Sequence, residues 1–281
     1  MSRARPRPCP DFVAARSRLG YRGGVTGLEH KRALVLGVAN ERSIAWAIAR
    51  SLAASGARLA LTWVGESIER RVRPLAGQVG AELVLPCDVT DDVQVGALFD
   101  EIGRAWGGLD VLVHAVAFAQ REDLAGRFVD TSREGFRTAL DVSAYSLVAL
   151  SRGALPLLRA AGGGSIVTLT FDGSRRVYPH YNVMGVAKAA LESAVRYLAA
   201  DLGPEGIRVN AVSAGPIKTL SAAGIRDFRQ ILHAVEERAP LRRNVTAEEV
   251  ASLVALLAGD EGRAITGQVL QVDAGLGIMA L

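Results

Sequence analysis

Seven short apolar runs separated by stretches of helical period limit most strongly how this chain can fold. The first run, AlaLeuValLeuGlyVal at 33–38, shows no polar alternation, as expected of a strand covered on both faces. A helical pattern follows at 43–55, and the couplet recurs: strand 58–62 with helix 66–78, strand 81–85 with helix 91–106, strand 109–114 with a long helical stretch at 132–160. Strand 165–170 with helix 182–202, strand 207–212, helix 247–257 and strand 268–272 complete the series. Strands joined through helices must run parallel with right-handed crossovers, so the expected fold is a single-domain, doubly wound α/β sheet of about seven strands with helices on both faces. Such sheets bind ligands beyond the carboxyl ends of their strands. The one irregular segment, 214–240, follows such an end and is a candidate lid.

Charge removes several function classes. The chain carries 33 Lys+Arg against 29 Asp+Glu in 281 residues. Residues 1–24 hold Arg3, Arg5, Arg7, Arg16, Arg18 and Arg22 against Asp11, which leaves 27 basic and 28 acidic residues in 25–281. A body of net charge −1 has no bulk field for a phosphate backbone, and a nucleic-acid partner is not expected. The basic tail reads as a disordered extension or as a start assigned too early, with Val25 the alternative start; an Arg-rich transit peptide would need an amphipathic repeat that is not evident. The longest uncharged stretch, 160–171, contains three glycines and falls well short of the roughly 20 apolar residues of a membrane span. Cys9 and Cys87 cannot build a disulfide framework or a thiolate metal site, which fits a reducing cytoplasm. His30, His114, His180 and His233 offer no pair at metal-ligand spacing, so no metal is expected. Serine hydrolysis lacks its G-x-S-x-G elbow.

Three places carry candidate chemistry. Gly37 ends the first strand, and Ser43, Ile44 and Ala45 open the following helix; this turn suits a pyrophosphate at a helix N-terminus, with strand-to-helix packing the alternative because the further glycines of G-x-G-x-x-G are missing. Asp88 follows the third strand, where it would accept from an adenine amino group or merely cap the next helix. The second strand ends ThrTrpValGly, without the acid that takes a ribose 2′-hydroxyl. Tyr181 and Lys188 stand seven apart, about two helical turns, and share a face. A phenol donating to a developing oxyanion beside a lysine ammonium is a reduction site; the alternative is an interfacial tyrosine and a solvated lysine.

Taken in order, GlyValAlaAsnGluArgSerIleAla (37–45), CysAspVal (87–89), TyrAsnValMetGlyValAlaLys (181–188) and AlaGlyProIleLysThrLeu (214–220) resemble the enoyl-acyl-carrier-protein reductases, the divergent branch of the short-chain dehydrogenase/reductases. The resemblance spans about 27–280 and implies a Rossmann-like fold. It also implies reduction of a trans-2-enoyl thioester in fatty acid synthesis, with NADH as cofactor and NADPH the alternative. It assigns Gly37, Ser43 and Ile44 to the pyrophosphate turn, Asp88 and Val89 to adenine, and Ala115 to Ala117 to the wall beside the ribose. Lys188 would hold the nicotinamide ribose, Ile217 and Thr219 would reach the nicotinamide and phosphates, and Tyr181 would donate to the thioester oxygen. Carbonyl-reducing members carry their tyrosine four residues before the lysine, where this chain has Met184. The family's frequent second tyrosine is Phe171 here, and its frequent Gln after the second strand is Val64. A carbonyl-reducing dehydrogenase of 3-oxoacyl type and a nucleotide-binding homologue without turnover remain the alternatives.

The resemblance also implies a homotetramer and an acidic acyl carrier protein as partner. In the lid, apolar Leu220, Ile225, Phe228, Ile231 and Leu232 recur at spacings near three and four. An amphipathic helix would turn Ile225 and Phe228 onto an acyl chain and hold Arg226 and Arg229 outward, as a docking rim or a solvated face.

Overall fold

The computed structural model describes residues 27–219 and 228–280; the basic tail and, in the lid, Ile225 and Arg226 lie outside the described residues. Seven parallel strands form one sheet: β1 (Arg32–Leu36), β2 (Arg58–Trp63), β3 (Leu83–Pro86), β4 (Val111–His114), β5 (Gly164–Thr170), β6 (Ile207–Ala214) and β7 (Val269–Val272). Their order is β3-β2-β1-β4-β5-β6-β7. Register is direct, with Ala33 beside Leu59 on one side and Val111 on the other.

Helices cover both faces, so the side chains of the inner strands are mostly buried whichever way they point. Ala33 and Val35 of β1 enter one core, packed by α1 (Ile44–Ala54), α2 (Glu66–Gln78) and α8 (Ala247–Ala258). Leu34 and Leu36 enter the other, packed by α3 (Asp92–Trp106), α5 (Ser146–Ala160) and α6 (Asn182–Leu202). That two-sided burial is why the first run lacks polar alternation. Two further helices pack outside these cores: Ala139 of α4 (Arg133–Leu140) lies against Val183, Met184 and Ala187 of α6, and Val235 of α7 (Phe228–Arg238) clusters with Ala239, Val245 and Ala274.

Some boundaries differ from the sequence expectation. β3 starts at Leu83; the preceding Glu82 still donates its N–H to the Leu59 carbonyl at 2.8 Å, and its carboxylate accepts from Arg58 and from the Trp106 indole N–H. The helical stretch expected at 132–160 is α4 and α5 joined by one π-helical turn, Asp141–Tyr145. At that turn the Ser146 hydroxyl takes the Val142 carbonyl at 2.7 Å. Ser143 both accepts from the Phe118 N–H (3.0 Å) and donates to the Phe118 carbonyl (3.1 Å). The extra backbone residue thus turns two serines towards the end of β4.

Candidate active site

Strand order reverses between β1 and β4, and the crevice past their carboxyl ends is where a doubly wound sheet takes its ligand. A cavity of about 580 Å³ lies there.

Its first wall is the β1–α1 turn. Gly37 has φ +96°, and a Cβ on it would stand 2.1 Å from the Ala115 carbonyl oxygen, so the close meeting of β1 and β4 requires glycine. Asn40 shapes the turn, its side chain accepting from Arg42 N at 2.9 Å and its carbonyl from the Ser43 hydroxyl at 2.7 Å. Ser43 in turn caps α1 by accepting from Trp46 N. The N–H groups of Ile44 and Ala45 have no hydrogen-bond partner among the described residues, and both residues line the cavity. Free N–H groups at the positive end of a helix fit a pyrophosphate. Ala115 to Ala117, after β4, form the adjoining wall.

The opposite wall holds the tyrosine and lysine that the sequence pairs. Tyr181 is the residue before α6, yet two turns bring it and Lys188 to the same cavity, with Met184 between them. Phe171 and Gly173 seat the phenol: the Phe171 ring meets Tyr181 edge-on with centroids 5.0 Å apart, and a Cβ on Gly173 would be 2.6 Å from Tyr181 Cδ1. The Tyr181 hydroxyl makes no hydrogen bond to a described residue. Burial, with the Glu192 charge adding, pushes its pKa far above the ordinary tyrosine range, so it is a proton-bearing donor at neutral pH. Lys188 is 6% exposed and donates to the Leu169 carbonyl at 2.8 Å. Burial draws its pKa down to about 8 while Glu192 opposes the fall.

Beneath this pair His114 closes β4, fully buried, with its ring nitrogens 2.8 Å from Thr168 Oγ1 and from Ser146 Oγ. The Ser146 proton goes to the Val142 carbonyl, so His114 donates from Nε2 and accepts at Nδ1 from Thr168. Burial, with Lys188 nearby, holds its pKa down to about 3, and the ring is neutral.

Ile217, Thr219 and Phe228 also line the cavity, whereas Arg229 is exposed. Asp88 and Val89 are not part of the lining. Asp88 accepts from Thr90 N and Oγ1 at 2.9 and 2.7 Å, and the cap of α3 is Asp91, which corrects the capping alternative for Asp88. Sequence reasoning missed Thr170 and Glu192. Thr170 ends β5 and lines the cavity, and Glu192 stands behind Lys188; its spacing of four from the lysine was the available signal. Among the described residues no group of three His, Cys, Asp or Glu is placed to hold a metal ion.

A family profile described as Enoyl-(Acyl carrier protein) reductase matches residues 37–277. The chain belongs to that family. An NADH-dependent enoyl-acyl-carrier-protein reductase of Rhizobium meliloti is 52% identical over 245 residues, covering 87% of this chain and 89% of its own. The NADH-dependent enzyme of Bacillus subtilis is 52% identical over 90% of this chain and 98% of its own. Among solved structures, the Bacillus cereus enoyl-acyl carrier protein reductase with NADP+ and an indole naphthyridinone superposes with TM-score 0.88 at 53% identity, over 90% of this chain and 99% of that one. The Anaplasma phagocytophilum reductase in complex with NAD gives 0.87 at 46% identity, over 92% and 99%. Family membership settles the expected resemblance and leaves each residue's role to the geometry.

Proposed function

We propose that this protein reduces a trans-2-enoyl thioester carried on acyl carrier protein, with NADH as reductant, in cytoplasmic fatty acid synthesis. The observation that carries the reading is the single cavity lined at once by the α1 N-terminus, Lys188 and Tyr181, with Met184 where a carbonyl reductase has its tyrosine. The free N–H groups of Ile44 and Ala45 would hold the pyrophosphate above Gly37 and Ala115, and Ile217 and Thr219, which line the same cavity, would meet the nicotinamide end. Asp88 and Val89 belong to the adenine end, away from the cavity. Lys188 holds the nicotinamide ribose.

The bound cofactor supplies a hydride to C3 of the enoyl group. As negative charge moves through C2 to the thioester oxygen, the Tyr181 hydroxyl donates a hydrogen bond to that oxygen, and C2 then takes a proton from solvent to complete the saturated thioester. Phe171 and Met184 border the reacting end, and Phe228 faces the acyl chain from the lid. Arg229, exposed on α7, belongs to the outward rim that meets the acidic carrier.

Tyr181→Phe tests the assignment. It removes a donor to charge that develops mainly in the transition state, so kcat should fall about a hundredfold with little change in substrate KM. An unchanged kcat removes Tyr181 from the chemistry.

A further inference from the structure

Glu192 is a buried acid that the reaction outlined above does not use. It is 8% exposed, one helical turn beyond Lys188 on α6, and Thr170 Oγ1, itself 4% exposed at the end of β5, donates to its Oε1 at 2.7 Å. Thr170 is the hydrogen-bond partner of Glu192 among the described residues. A carboxylate taken out of water with one neutral donor is costly, and so is an ammonium whose hydrogen bond goes to one carbonyl, as Lys188 has with Leu169. The two costs offset in part when the opposite charges are buried one turn apart on the same helix, as they are here without closing to an ion pair.

We propose that Glu192 is a positioning residue: anchored by Thr170, its carboxylate supplies the charge opposite Lys188 and keeps that side chain an ammonium aimed at the ribose. The proposal rests on the ribose role given to Lys188 above. Among the described residues the surrounding elements offer no substitute. His114 on β4 is neutral, Tyr181 retains its proton, and Asp172 beyond β5 is engaged by the Tyr178 hydroxyl at 3.2 Å and by Arg176 at 3.6 Å. Removing the Glu192 charge therefore lets burial draw the lysine proton off at lower pH, since the acid is what opposes that fall.

The test is NADH affinity, read by fluorescence from pH 6 to 9.5 on the full-length wild type, Glu192→Gln, Thr170→Val and Lys188→Ala, with thermal melts as a check of folding. Glu192→Gln should bind NADH like the wild type at pH 6 and about fivefold more weakly at pH 8, as a lower lysine pKa requires. Thr170→Val, which keeps the carboxylate but frees it, should move the pH curve in the same direction by less. In the Lys188→Ala background Glu192→Gln should add nothing. A folded Glu192→Gln that tracks the wild-type curve, or that loses equally at pH 6 and pH 8, overturns the proposal, and if that variant does not fold a wild-type curve for Thr170→Val does so. Wild-type NADH affinity in Lys188→Ala at every pH would instead overturn the ribose role itself.

Discussion

At the scale of single residues, His114 shows how the fold fixes a protonation state. Its ring lies between Thr168 and Ser146 with no exposed surface, and burial keeps it neutral down to a pKa of about 3. The unfolded chain takes up a proton on this residue below pH about 6.5 that the folded state refuses, so the stability it allows at neutral pH is lost as pH falls from 6.5 towards 3, by about 1.4 kcal/mol per unit. His114→Gln removes that linkage. Urea unfolding at pH 7 and pH 5 should show the variant, though less stable at pH 7, losing about 2 kcal/mol less than the wild type over the interval; parallel losses would contradict the buried neutral ring. Tyr181, Lys188 and the Gly37 turn were legible because their spacing and type carry them. The φ of Gly37 was not, since it follows from a carbonyl 78 residues further on, at Ala115. Glu192 was passed over because an acid four residues after a lysine reads as a solvated pair until its burial is known.

At the scale of elements, α2 and α6 run over the limits that their apolar periods predict, Glu66–Gln78 and Asn182–Leu202. The π turn at Asp141–Tyr145 was not visible, because one extra residue hardly disturbs a 3.6-residue pattern over 28 positions. Its function is nevertheless specific: Ser143 clasps both backbone groups of Phe118 and so fixes the wall that begins at Ala115. Ser143→Ala would leave an N–H and a carbonyl without their partner. Differential scanning should show Tm lowered by about 2–6 °C, and kinetics should show KM for NADH rising more than kcat falls. An unchanged KM would mean that the wall holds without the clasp.

At the scale of the whole molecule, apolar side chains remain on helices that the sheet does not cover. Tyr197 and Val186 on α6 are 73% and 37% exposed, and Tyr145 on the π turn is 45% exposed. Single exposed residues of this kind are ordinary, but these share the helices whose Ala, Leu and Val content on several faces predicts burial against another subunit. A homotetramer is the expected assembly. Light scattering at micromolar concentration should give four times the 29.7 kDa chain mass, and a monomer would refute it.

The central claim is that one cavity, bounded by the α1 N-terminus, Lys188 and Tyr181, reduces a carbon–carbon double bond conjugated to a thioester and leaves a ketone alone. NADH oxidation followed at 340 nm with a crotonyl thioester and with an acetoacetyl thioester, on the same preparation, tests it most directly. The account predicts steady turnover of the crotonyl substrate, lowered about a hundredfold with NADH still bound in Tyr181→Phe, and no oxidation above background with acetoacetyl. Preferential turnover of the acetoacetyl thioester would make the protein a carbonyl reductase, and NADH binding without turnover of either would contradict the catalytic account altogether.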